Sequence, residues 1–176
     1  MKFFSSILFT AIIILGISSC AKKENYSNIP AITFKNAIVY TPGDSLAIQI
    51  NFTDGDGDIG YATGDTSAPY DCYLEYMIDT GHNGNYVTET TSNPIPKVTT
   101  GDTIVYPYLI PYITPTGSNK SLNGEIQIMI HSENWRYTVP PIANVGFNIE
   151  FKVWIIDRAG HVSNRIVTAP ITVPST

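Results

Sequence analysis

Val145, Phe147, Ile149, Phe151, Val153 and Ile155 share one parity, and no polar residue interrupts that row. A helix would scatter these side chains around its axis, whereas an extended strand places them all on one face. The same period of two recurs at Leu46, Ile48, Ile50 and Phe52, and at Ile126, Ile128 and Ile130. Cys72, Leu74, Tyr76 and Ile78 form a further row. No stretch beyond residue 20 sustains a helical period. Turn-forming clusters separate the rows: Thr41-Pro42-Gly43-Asp44, Thr53 to Gly57, Gly81 to Asn85, Pro115 to Asn119 and Asp157 to Gly160. The chain is therefore expected to be all-β, with about seven or eight strands. They fall near 32–40, 45–53, 70–79, 85–91, 103–113, 123–131, 145–156 and 161–173.

Short strands that each bury one face call for a second sheet to cover them. An immunoglobulin-like two-sheet sandwich satisfies that need, and a lipocalin-like barrel is the other closure. Pro107 and Pro111 confine the strand at 103–113 to an edge or split it, because proline cannot donate to a ladder. Val145 to Ile156 and His161 to Val173 are expected to pair as a closing hairpin. Its connection, Asp157-Arg158-Ala159-Gly160, ends on a residue free to adopt positive φ.

The first residues obey a different rule. Lys2 precedes an apolar run from Phe3 to Ile17, and Ile17-Ser18-Ser19-Cys20 closes it. This run of roughly fifteen residues, broken only by Ser5, Ser6, Thr10 and Gly16, is shorter than the ~20 a membrane-spanning helix needs, and it reads as a secretory signal. Small residues before a cysteine resemble the lipobox of bacterial lipoproteins. That resemblance implies cleavage before Cys20 and acylation of Cys20 with two or three chains, palmitate among them. One chain alone holds a protein only marginally, at about 0.8 kcal/mol per buried CH₂, whereas several anchor it stably. The expected organisation is a signal peptide at 1–19, a lipidated flexible tether at 20–30 and a β-sandwich domain at 31–176.

Three segments carry a wider resemblance. They are Phe52-Thr53-Asp54-Gly55-Asp56-Gly57-Asp58-Ile59-Gly60, Ile110 to Gly117 followed by Leu122-Asn123-Gly124, and Val153 to Asn164. In this order, behind a lipobox, they resemble outer-membrane lipoproteins of the Bacteroidota. The last segment is similar to the closing hairpin of bacterial immunoglobulin-like and fibronectin type III-like domains. The resemblance implies a fold and a cell-envelope location, with the membrane leaflet open. It implies no activity, since function resides in sites and not in folds. Asp44-Ser45-Leu46 and Asp102-Thr103-Ile104 also resemble an O-glycosylation acceptor of exported proteins.

The remaining chemistry is sparse. With Cys20 acylated, Cys72 has no disulfide partner, and its place in an apolar row makes it a buried, unreactive thiol. Ten Lys and Arg against 15 Asp and Glu give a net charge of −5, which argues against nucleic acid. His82, His131 and His161 lie far apart in sequence, with no zinc-binding spacing, and read as surface histidines. There is no GxSxG elbow and no P-loop. The chain is read as a non-enzyme. A hydrolase of envelope or nutrient polymers is the alternative, and a purely structural envelope protein a third.

One loop stands apart. Asp54, Asp56 and Asp58 alternate with Gly55 and Gly57, which puts three carboxylates on a backbone free to curl. Calcium takes six to eight hard oxygens in flexible geometry, and such a loop offers carboxylates and carbonyls together. From Asn36 to Pro96 there is no Lys or Arg, yet there are nine acids. Close carboxylates without a basic neighbour repel one another. The loop is not an EF-hand, which needs Gly sixth and Glu twelfth where this chain has Ile59 and Asp65. In an immunoglobulin-like sandwich the loop after 45–53 and the turn after 145–156 lie at one end. Asp157 is thus expected as a fourth ligand and Asp65 as a further one. The opposing reading makes Asp-Gly a plain turn former, with Arg158 as salt-bridge partner.

Aromatic residues offer the other clue. Tyr106, Tyr108 and Tyr112 share a parity, and Trp135-Arg136-Tyr137 sits in a polar connection. They read first as core packing. Trp135 is the candidate contact for a glycan or an envelope protein partner. The expected function is a lipid-anchored binding or accessory module of the cell envelope, carrying a structural calcium loop.

Overall fold

The structure is a computed structural model that describes residues 25–40, 45–62, 64, 67–79, 83–88, 98–100, 103–113, 115, 120–131 and 147–173. Among these residues every regular element is a strand: β1 (Ala31–Val39), β2 (Ser45–Asp54), β3 (Cys72–Ile78), β4 (Val87–Thr88), β5 (Val98–Thr100), β6 (Thr103–Tyr108), β7 (Leu122–His131), β8 (Phe147–Ile155), β9 (Ile166–Val167) and β10 (Ile171–Val173). They form two antiparallel sheets. One has the order β1-β2-β7. The other runs β10-β8-β3-β6-β5, with β4 on β3 and β9 on β8. The consecutive pair β1 and β2 shares a sheet with the later β7, while β3 sits between β8 and β6 in the other. This interleaving is the expected immunoglobulin-like sandwich, and among the described residues both sheets have open edges, as a barrel would not.

The parity rows become the core. Leu46, Ile48, Ile50 and Phe52 of β2 and Ile126, Ile128 and Ile130 of β7 face Leu74, Tyr76 and Ile78 of β3 and Ile149, Phe151, Val153 and Ile155 of β8. Each such side chain, fully buried, contributes about 1.5–3 kcal/mol. Cys72 is buried with them, and burial raises its thiol pKa far above the ordinary value.

Three details differ from the sequence reading. β6 ends at Tyr108, short of Pro111. It lies inside the sheet, but β5 pairs only as far as Val105, so among the described residues Pro107 has no neighbour on that side. The strand expected at 161–173 is two short ones, β9 and β10, with Thr168, Ala169 and Pro170 between them. β5 was not expected.

The closing hairpin is present. Ile156 bridges Val162, Ser163 N donates to Ile155 O at 3.0 Å, and Gly160 has φ of 89°. Asn164 then reaches the free edge of β1. Its Oδ1 accepts from Ile32 N at 2.8 Å and its Nδ2 donates to Ile32 O at 2.9 Å, as a neighbouring strand would. Asn164→Ala is expected to cost about 2 kcal/mol, because it removes both bonds from a residue otherwise held in the core. Urea unfolding measures it, and a loss within experimental error would show that the two bonds are replaced by water.

Candidate metal centre

β2 delivers Asp54 to the end of the sandwich, fully buried. Its Oδ2 accepts from Gly57 N at 2.8 Å and from Asp58 N at 3.1 Å, so the carboxylate curls the following loop around itself. Ile59 anchors that loop in the core. Beyond it, Tyr61 N donates to Ile110 O at 3.1 Å and Tyr112 N to Tyr61 O at 2.9 Å, which ties the loop to the stretch after β6.

The hairpin turn docks on the same loop. Arg158 N donates to Asp58 O at 3.1 Å, and Ala159 N donates to Asp58 Oδ2 at 3.0 Å. This is the approach of distant segments expected from the topology. The Oδ1 atoms of Asp54, Asp56 and Asp58 are each buried and have no hydrogen-bond partner. One carboxylate oxygen from each of these residues lies within 4.8 Å of the others.

Burial raises the Asp54 pKa most, against the pull of the Asp58 and Gly57 amides; the charges of Asp56 and Asp157 raise it further. Burial also raises that of Asp58, followed by the charges of Asp157, Asp56 and Asp54. The centre thus disfavours its own negative charge and would be relieved by a cation.

Asp157 stands beside the cluster and is buried, but both its oxygens are engaged by His161. Oδ1 accepts from His161 N at 2.7 Å, and Oδ2 lies 2.8 Å from His161 Nδ1. The hydrogen bond to Asp157, then its charge, raises the His161 pKa above the ordinary imidazole value. The geometry places Asp157 as an electrostatic neighbour of the three aspartates, with His161 as its partner. The sequence signal for that pairing was the spacing of four across a tight turn, where a histidine can fold back onto the preceding acid.

Arg158 does something the sequence did not suggest. Its guanidinium donates to the carbonyls of Gly60 at 2.7 Å, Ile59 at 3.3 Å and Gly57 at 3.4 Å, and lies 4.5 Å from the centre of the Tyr112 ring. Among the described residues it forms no ion pair with the aspartates; the ion pairs there are Lys35–Glu125, Lys152–Glu75 and His161–Asp157. Arg158 therefore clamps the loop from its carbonyl side and leaves the three Oδ1 atoms unneutralised.

Asp65, Trp135 and Cys20 lie outside the described residues. Tyr106 is buried in the core and Tyr108 packs against it, while Tyr112 is exposed under Arg158. On the outer face of the larger sheet Tyr73 stacks on Trp154 at 5.5 Å and 10°, and Arg165 lies 4.4 Å from the Trp154 ring centre. Trp154 is buried by these contacts, so the pair offers no flat open platform. No family model, curated protein or solved structure matches the chain.

Proposed function

We propose that this chain is a lipid-anchored, cation-stabilised β-sandwich module of the cell envelope that works by binding or as an accessory part, and that its cation is calcium. The observation that carries the cation is a cluster in which one carboxylate oxygen from each of Asp54, Asp56 and Asp58 lies within 4.8 Å of the others, while each residue also keeps a buried Oδ1 with no hydrogen-bond partner. Burying carboxylates without compensation is costly, and a hard divalent ion removes that cost. The donors in this set are oxygens, with no cysteine or histidine among them, which suits calcium better than zinc. The Oδ1 atoms are shielded from solvent, so an ion there is enclosed. It serves the structure by pinning the loop after β2 to the turn after β8, and it is not offered to a substrate. Calorimetric titration of chelated protein with calcium is expected to show one ion bound per chain. An absence of heat at about millimolar calcium, the weak end of the affinity range for such sites, would remove the reading.

The anchor rests on Ile17-Ser18-Ser19-Cys20 behind its apolar run. Cys20→Ser is expected to release the protein from membranes or to stall its processing. Mass spectrometry of the mature N-terminus checks this directly. An end that is not an acylated Cys20 would contradict it.

A further inference from the structure

The segment that leads into β1 crosses the cation loop before it enters the sandwich. Gly55, between two of the aspartates, touches it directly. A Cβ at Gly55 would lie 2.5 Å from Tyr26 O, 2.7 Å from Ser27 C and 2.8 Å from Asn28 Oδ1. Two of these three atoms are main chain, so a side chain at position 55 would force the segment to shift. Among the described residues little else holds the segment. Asn123 Nδ2 donates to the Tyr26 hydroxyl at 2.8 Å, and Ile29 N donates to Ser27 Oγ at 3.0 Å within the segment itself. Asn25, Ser27, Asn28 and Ile29 are exposed. Pro30 is buried, and from Ala31 onward the chain is fixed by β2, with Asn164 on the other side of Ile32.

We infer that occupancy of the aspartate centre controls the docking of residues 25–29, so that the cation sets where the chain leaves the domain. This rests on the cation reading above. With the centre filled, the carboxylates are held together and Gly55 presents the surface on which Tyr26 and Ser27 lie. With the centre empty, repulsion among Asp54, Asp56 and Asp58 loosens the loop, and a segment held by so few contacts is released. Release frees residues 25–29 as far as Pro30, which is buried, and adds about 17 Å of slack, at 3.3–3.6 Å per extended residue. The coupling is reciprocal: whatever undocks the segment weakens the cation by the same factor.

Hydrogen exchange of the purified protein, with calcium and with chelator, tests this in two places, residues 26–29 and residues 54–60. Calcium is expected to slow exchange at residues 26–29 about tenfold, within the ordinary range of such couplings. Gly55→Ala leaves every carboxylate in place and is expected to abolish that slowing and to weaken calcium binding about tenfold by the same reciprocity. Should Gly55→Ala fail to fold, Asn123→Ala, an exposed change that removes only the bond to the Tyr26 hydroxyl, is expected to shift both quantities in the same direction. If calcium binds and protects residues 54–60 but leaves 26–29 unchanged, this inference is overturned and the cation reading stands. If calorimetry shows no calcium binding, both fall together.

Discussion

Between about pH 4 and about pH 8, the unfolding free energies of the parent protein and of Asp71→Asn are expected to diverge by about 3 kcal/mol. Asp71 precedes β3 and is 1 % exposed. Its Oδ1 accepts from Ile110 N at 2.7 Å, while its Oδ2 is buried without a partner. Burial pushes the carboxyl up to about 6 from 3.8, and the amides of Ile110 and of Asp71 itself lower it only in part. The sign follows from which state binds the proton more tightly. A raised acid pKa means that the folded state does. The stabilising contribution is complete below about 3.8 and is lost as pH rises through about 6. Asparagine does not titrate there and keeps an oxygen for Ile110 N. The parent should therefore lose stability relative to the variant across that window, whatever the other acids contribute to both. Parallel profiles would show that Asp71 is not held as a buried acid.

The sandwich could be read from the sequence because its signal is local. Each buried row at β2, β7 and β8 alternates with residues that face elsewhere, and a turn cluster bounds nearly every strand. β5 could not be read so, because Val98-Thr99-Thr100 is too short to show a period and exists only through its ladder with β6. The aspartate loop was legible for the opposite reason: its composition, three acids spaced by glycines, has few physical explanations. Its contact with the hairpin turn followed from topology. The roles of the turn residues did not, because they depend on side-chain direction. Arg158 was the obvious counter-charge on paper, yet in the fold it grips carbonyls across the loop. Asp157 pointed to the cluster by position, yet it turns to His161. Asp71 falls within the strand expected at 70–79, just ahead of the apolar row that starts at Cys72, and that pattern does not show its burial. Its burial arises from a partner, Ile110, that lies 39 residues away.

The second large effect concerns the aspartates themselves, and it has two opposite signs. Consider Asp56→Asn/Asp58→Asn. Without calcium, the parent carries the burial and repulsion that raise the Asp58 carboxyl. Such a group destabilises the folded state as pH rises past its folded pKa. Neutral side chains remove that penalty, and asparagine at 58 still offers an oxygen to Ala159 N. The chelated variant is therefore expected to be the more stable of the two, by about 1 kcal/mol, or roughly 2–4 °C in melting temperature for a chain of this size. With calcium the order reverses. A ligand at one hundred times its dissociation constant adds about 2.7 kcal/mol to the parent, roughly 5–10 °C. The variant, left with Asp54 as the one charged member of the three, gains almost nothing.

The most direct test is the melting temperature of these two proteins, each after chelation and again in about 1 mM calcium. A calcium-bound structural centre predicts that the variant melts higher without calcium and the parent melts higher with it. A parent that does not respond, or a variant that responds equally, would contradict that account and leave Asp54 to Asp58 as a turn alone.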